Sequence, residues 1–340
     1  MPCQTNKGIV FVTYLKMNLK YFFFLAVLIS SCNSPTPNYK PKSSGNINTV
    51  TVVIENSLWN SSTGDSIRSF FASEFEGLPQ QEPIFSLRQI PTETFSGFTR
   101  ESRNIILIQK ITKNTFAIEK DKYAYPQILV NVSAPTVEQI INKIKKNKER
   151  IIDEIKINEI KEKQKRIKIS KLNKTNLSSE LSIDLVMPSA YKVYKKGDEN
   201  IVWLQRDTDK GTVNILAYEL KSEERFDALN LEKIIQIRDS IGELFVPGRN
   251  ENSYMITEAA YEPYIKKTKV KGLEAIETRG TWEVKNDFMA GPFVNYVIED
   301  TLNKRMIVLE GFVFFPSSKK RNLIFELEAI FKSLKIYKRN

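Results

Sequence analysis

A chain of 340 residues, 41% hydrophobic and 27% charged, has the apolar content for a packed core and too much charge for an integral membrane protein. It has no histidine, and its two cysteines, Cys3 and Cys32, both precede position 33. This removes disulfides, Cys- or His-ligated metal sites and Ser–His or Cys–His nucleophile pairs from the body of the chain, and it counts against an enzyme while leaving carboxylate, Tyr, Lys and Ser–Lys chemistry open.

The first organised stretch is an export signal. Lys16-Met17-Asn18-Leu19-Lys20 is a basic flank, Tyr21–Ile29 (YFFFLAVLI) is an apolar run, and Ser30-Ser31 are small residues placed directly before Cys32. The run is too short to span a bilayer, which takes roughly 20 apolar residues. Ile29-Ser30-Ser31-Cys32 resembles the bacterial lipobox, and that resemblance implies cleavage between Ser31 and Cys32 and acylation of Cys32 with palmitate-type chains. Residues 1–31 are then a signal peptide in which Met17 is a better start than Met1. Residues 32–46 are the lipidated Cys and a Pro-, Ser- and Asn-rich tether. Asn33 stands where an Asp would resemble an inner-membrane retention signal, and residues 34–46 carry no acid. Both features favour an outer-membrane anchor facing the periplasm.

Residues 47–175 read as an N-terminal α/β domain. Strands are expected over Asn48–Glu55, Ile84–Ile90, Asn104–Ile108, Phe116–Glu119 and Gln127–Val132. An amphipathic helix is expected over Asp65–Glu76, with Asp65 as its N-cap and Ile67, Phe70, Phe71 and Phe75 on one face. Pro135-Thr136 then opens a long helix, with Glu138 in its first turn and Val137, Ile140, Ile141, Ile144, Ile151, Ile152 and Ile155 as its apolar stripe. Past Ile160 the stripe thins, so the helix is expected to project or fray, and Lys156–Ser178 reads as an interdomain boundary. The chain's net charge of +11 falls to +8 once residues 1–31 are removed, and residues 142–174 alone, with thirteen Lys/Arg and five Asp/Glu, carry +8. The rest of the mature chain is neutral, which argues against nucleic acid as a partner. Lys143, Lys145, Lys146, Lys148 and Arg150 are candidate contacts to anionic lipid headgroups, weighed against a plain solvated face.

Residues 180–338 read as a C-terminal α+β domain. Strands are expected over Leu181–Val186, Ile201–Gln205, Thr212–Leu220, Thr278–Lys285, Phe293–Glu299 and Arg305–Phe314, with helices over Leu229–Ile241 and Asn322–Leu334. The short turn at 299–303 predicts antiparallel pairing. The fold class is α+β: two mixed domains, each a largely antiparallel sheet packed with helices, joined through the long basic helix. The strand-rich middle with flanking helices resembles the αβα sandwich of PsbP-type proteins.

Asp65-Ser66-Ile67-Arg68, Leu78-Pro79-Gln80-Gln81-Glu82-Pro83, Arg103-Asn104-Ile105 and Met289–Tyr296 resemble a Bacteroidetes lipoprotein family known as domain of unknown function 4837. That resemblance, taken to cover nearly all of the mature chain, implies an anchored envelope protein and supplies no catalytic residue, cofactor or metal. Tyr254, Glu258, Tyr261, Glu262 and Tyr264 around Pro263 are candidates for proton transfer or sugar binding, against the alternative of a domain rim. Trp59, Trp203 and Trp282 are dispersed and read as packing residues before a carbohydrate platform. Gly291-Pro292 reads as a turn entering a strand. Ser66, Ser240 and Thr301 sit in short Asp-Ser/Thr-aliphatic stretches that resemble an O-glycosylation acceptor. The reading favoured is a non-catalytic envelope binding or assembly protein with an envelope protein partner. A sugar or lipid carrier is the alternative, and a His-free hydrolase ranks below it.

Overall fold

Every residue of the first strand, β1 (Thr49–Val53), is β-branched, and four of its five side chains are buried. The computed structural model describes residues 40–173, 175–196, 201–220 and 225–339; Ser31 and Cys32, the expected export signal and the expected tether up to residue 39 lie outside them. Two helices follow β1, α1 (Asn56–Trp59) and α2 (Ser62–Phe71). The N-cap of α2 is Ser61, whose Oγ accepts from the Thr63 amide at 3.3 Å, and not Asp65. Asp65 lies in the first turn, paired with Arg68 at 2.7 Å, and the helix ends at Phe71 instead of reaching Glu76.

Strands β2 (Ser86–Ile90), β3 (Asn104–Lys110), β4 (Thr115–Lys120) and β5 (Ile128–Ala134) complete a sheet of order β2-β1-β3-β5-β4. Its β1–β2, β1–β3 and β3–β5 pairs are parallel and only β4–β5 is antiparallel. The expectation of a largely antiparallel N-terminal sheet is therefore corrected. The α1–α2 crossover between β1 and β2, and the long excursion before β3, return the chain in the same direction, as parallel pairing requires. Strand β4 goes to the edge and lets β3 and β5 pair directly.

Helix α3 (Val137–Ile169) starts where the sequence places it: Thr136 Oγ1 accepts from the Gln139 amide at 3.3 Å. Ile140, Ile144, Ile151 and Ile155 are buried. The expected fraying past Ile160 does not occur, because Glu159, Ile160, Glu162 and Ile167 are buried as well. Polar anchors replace the apolar stripe there. Glu159 accepts from the Asn48 amide and Asn104 Nδ2, both at 2.6 Å, and pairs with Arg103 at 2.5 Å. Further along, Gln164 Nε2 donates to the Ala329 carbonyl at 2.8 Å.

Beyond α3 come α4 (Leu177–Leu181), β6 (Ile183–Asp184), β7 (Lys192–Lys196), β8 (Ile201–Asp207), β9 (Thr212–Leu220), α5 (Leu231–Phe245), β10 (Met255–Thr257) and β11 (Tyr264–Val270). The chain ends through β12 (Leu273–Val284), β13 (Ala290–Asp300), β14 (Arg305–Phe314), α6 (Arg321–Phe331) and β15 (Lys335–Ile336). Leu181–Val186 is thus a helix end and a two-residue strand paired with β15, not a full strand. The sheet β10-β12-β13-β14-β9-β8-β7 is antiparallel throughout, with β11 also paired along β12.

Strand alternation gives this sheet two buried faces. Ile276, Phe293, Val297, Val308 and Phe312 pack with Ile234 of α5. Ala275, Val294, Tyr296, Ile307 and Leu309 share a core with α3 and α6, and that core runs on to Val50, Ile106 and Val130 of the first sheet. Residues 41–340 form one unit. Within the described residues no helix is long and apolar enough to cross a membrane.

Candidate functional site

The register of the second sheet places Thr278, Asn295 and Glu310 directly opposite one another on β12, β13 and β14. All three stand on the face covered by α5, and polar groups in so apolar a layer must find partners. Helix α5 supplies Arg238, fully buried, with its guanidinium 3.8 Å from the centre of the Phe293 ring. Arg238 Nε lies 3.0 Å from Glu310 Oε1, and Asn295 Nδ2 donates to Glu310 Oε2 at 3.1 Å. Burial pushes the Glu310 carboxyl up from its ordinary range, against the pull of Arg238 and Asn295. The Tyr218 phenol is raised by burial and by Glu310. Thr278 Oγ1, Asn295 Oδ1 and Glu310 Oε1 have no aligned hydrogen bond among the described residues.

From this interior a chain of contacts leads outward. Arg238 Nη1 donates to Thr257 Oγ1 at 2.8 Å, and the Thr257 amide and hydroxyl both donate to Asp239 Oδ1 at 2.7 Å. Asp239 is partly exposed at the floor of a cleft of about 660 Å³ between α5 and residues 257–263. Gly242 sets that approach, since a Cβ there would lie 2.0 Å from the Met255 carbonyl oxygen. Leu231, Ile235, Tyr261 and Pro263 give the cleft apolar walls, and Glu232, Glu258 and Glu262 rim it. Such a recess suits a ligand with an apolar body and positive or hydrogen-bond-donating groups.

Of the Tyr/Glu group read from the sequence, Glu258, Tyr261 and Glu262 meet at this cleft. Tyr254 accepts from Lys285 Nζ at 2.8 Å, and Tyr264 is exposed on β11, so neither joins them. Sequence reasoning missed Arg238, Asp239, Thr257, Asn295 and Glu310. The available signal was the single charge inside an apolar run at Glu310, within MIVLEGFVF; Arg238, followed by Asp239 and Ser240, carries no such signal.

The other candidates are scattered. Lys143 Nζ donates to the Thr115 and Ser133 carbonyls at 3.1 and 2.8 Å and to Asn114 Oδ1, which ties α3 to the first sheet. Lys148 lies over the Phe70 ring and 3.5 Å from Glu149, and Arg150 lies over Phe116. Lys145 and Lys146 are exposed. Trp203 and Trp282 both pack on Phe312 in the α5-side core, and Trp59 stacks under Arg68, so the carbohydrate-platform reading gives way to packing. Ser66 and Ser240 hydroxyls each donate to the carbonyl four residues back, at 2.8 Å, and Thr301 is exposed in the β13–β14 turn. Gly291 and Pro292 lie inside β13, not in a turn before it, and pair with Trp282 and Thr281. No group of described residues is arranged to hold a metal ion.

Residues 170–333 match the family described as Domain of unknown function (DUF4837), and residues 43–168 match a second, Domain of unknown function (DUF8532). The resemblance taken to span the mature chain is thereby confined to its second half. It keeps Met289–Tyr296, whereas Asp65–Arg68, Leu78–Pro83 and Arg103–Ile105 fall in the other family. No curated protein matches the chain. Among solved structures it is similar to LpqN of Mycobacterium tuberculosis, described as involved in cell envelope biogenesis, at 13% identity over 45% of this chain and 82% of that chain, with a TM-score of 0.28.

Proposed function

With residues 170–333 a DUF4837 domain, we propose that the chain is a lipid-anchored binding protein of the bacterial cell envelope, held at Cys32 and presenting the α5 cleft to a ligand or protein partner in the periplasm. The cleft carries this reading. Its floor carboxylate, Asp239, is engaged by two Thr257 donors, and Thr257 is itself held by Arg238. These groups support one another in fixed positions, as a preorganised binding surface requires. The anchor rests on the order of basic flank, apolar run, small residues and Cys32, and two acyl chains give stable membrane attachment where one does not. A sugar ligand is the second reading, favoured by the exposed Tyr261 ring beside Pro263.

Both parts are tested in cells making the full chain. Labelled fatty acid should enter the wild type and be absent from Cys32→Ala, which should leave the membrane fraction; a labelled, membrane-bound Cys32→Ala protein would make Cys32 the wrong residue. A photo-crosslinking side chain at position 261 should give a discrete adduct that is lost on Glu258→Lys with Glu262→Lys. An adduct pattern no different from that of the same side chain at Phe98, a fully separate exposed position, would rule the cleft out as the binding surface.

A further inference from the structure

On the face of the sheet opposite the α5 cleft, α3 runs past β11 and α6 and leaves a groove of about 440 Å³. An ion network forms its floor. Arg279 donates through Nε to Glu277 at 2.5 Å and through Nη2 to Glu328 at 2.7 Å, and the Tyr296 hydroxyl donates to Glu277 at 2.6 Å. Lys266 pairs with Glu277 at 3.2 Å and Lys332 with Glu328 at 2.8 Å. The two floor carboxylates are therefore already matched by three cations.

The walls add charge that no ion pair in contact neutralises. Lys156 and Lys161 from α3, and Lys271 from the turn between β11 and β12, line the same groove and have no carboxylate within ion-pair distance among the described residues. Lys269, also on the wall, is paired with Glu274. With Lys269 set aside, the five other lysines of the groove exceed Asp153, Glu277 and Glu328 by two positive charges. Lys156 bears this most directly. Its side chain is partly buried, and burial lowers its pKa against the opposing attraction of Glu328. A half-buried ammonium group with no carboxylate in contact is costly, and an anion beside it would lower that cost. Ile157 and Ile160 form an apolar shoulder along the groove, with Ile157 51% exposed.

We propose that this groove is a binding site for a phosphate-bearing ligand, with the phosphate between Lys156, Lys161 and Lys271 and the ligand's apolar part against Ile157. Three ammonium groups without an ion-pair partner in contact match the charge and multiple acceptor oxygens of a phosphate better than the single charge of a carboxylate. The same chemistry is offered by a phospholipid headgroup and by a free phosphorylated compound, and the assignment stands whether or not the α5 cleft is a binding surface.

The test is calorimetric titration of the full chain in a non-ionic detergent, first with inorganic pyrophosphate and then with detergent micelles doped with phosphatidylglycerol or with phosphatidylcholine. Saturable binding of pyrophosphate alone identifies a free phosphorylated ligand; binding of phosphatidylglycerol micelles in preference to phosphatidylcholine identifies an anionic lipid headgroup. In either case Lys156→Met should weaken binding at least tenfold. Lys161→Glu with Lys271→Glu, two exposed positions that leave the ion network intact, should weaken it as much, and Lys145→Glu with Lys146→Glu outside the groove should leave it within twofold. Absence of saturable binding to either probe overturns the proposal. Equal weakening by the Lys145/Lys146 pair overturns it too, because the attraction would then be diffuse charge on α3 and not a site.

Discussion

At the scale of single residues, buried carboxylates lie on both faces of the second sheet, and Glu310 on one and Glu328 against the other titrate in opposite directions. Glu310 is pushed up by burial that Arg238 and Asn295 only partly offset. Glu328 also loses hydration on burial, yet Lys332, Arg279 and Lys156 together hold it well below the usual carboxylate range. A carboxylate whose folded-state pKa is depressed adds stability above its unfolded pKa, near 4.5, and that stability is lost as pH falls toward the folded-state value. A raised one, such as Glu310, acts in the opposite sense, its contribution being lost as pH rises through the folded-state pKa. Glu328→Gln is therefore expected to cost about 3–5 kcal/mol at pH 7, because Arg279 and Lys332 lose their shared buried partner. Urea unfolding should show that deficit shrinking between pH 5 and pH 3; an equal deficit at both ends would mean that packing, not charge, is what the substitution removed. None of this pairing was legible in the sequence. Arg279 and Glu328 are separated by 49 positions, and alternation along a strand says which face a residue takes but not which helix will meet it.

At the scale of elements, the sequence located the long strands and the four longest helices, and it missed the short or polar ones, β7, β10, β11, β15, α1 and α4. The central strands β12, β13 and β14 are long enough that either face alone would identify them. Edge strand β11, reading YIKKTKV, has too little apolar alternation to stand out and exists through its ladder with β12. Helix α3 makes the contrast sharpest. Its first half follows an isoleucine stripe, and its second half is held by Glu159, by Lys163 paired with Glu326 and by Gln164, which a hydrophobic pattern cannot register. Ile155→Ala, at a fully buried position, should cost about 2–5 kcal/mol, while Ile157→Ala, two residues on and half exposed, should stay within about 0.5 kcal/mol. Chemical denaturation of the two variants beside wild type decides it. Comparable losses would place α3 in a different rotation against the sheet from the one described.

At the scale of the whole molecule, the two family matches meet at residues 168–170, and the physical core does not stop there. Val50, Ile106 and Val130 of the first sheet share one apolar cluster with Val202, Leu309 and Ile324 of the second half. Polar contacts cross the same line. Glu82, from the loop after α2, accepts from the Lys320 and Arg321 amides at 2.5 and 3.2 Å and so caps the start of α6, and Arg321 Nη1 returns a bond to the Pro83 carbonyl at 2.7 Å. A carboxylate at a helix N-terminus satisfies otherwise unpaired amides and complements the helix dipole, and here it does so from the other half of the chain. On these contacts the halves should unfold together: in a Trp59→Phe background, fluorescence of Trp203 and Trp282, which then reports the second half, and far-ultraviolet circular dichroism, which reports both, should give coincident urea transitions. Glu82→Ala should lower the common midpoint by about 1–2 kcal/mol of stability, the usual cost of a lost cap. If the two signals already separate in the Trp59→Phe background, the shared core is not cooperative. If they separate only in Glu82→Ala, the cap is the contact that couples the halves, and the groove between α3 and β11, which depends on their docking, should lose its affinity in the same variant.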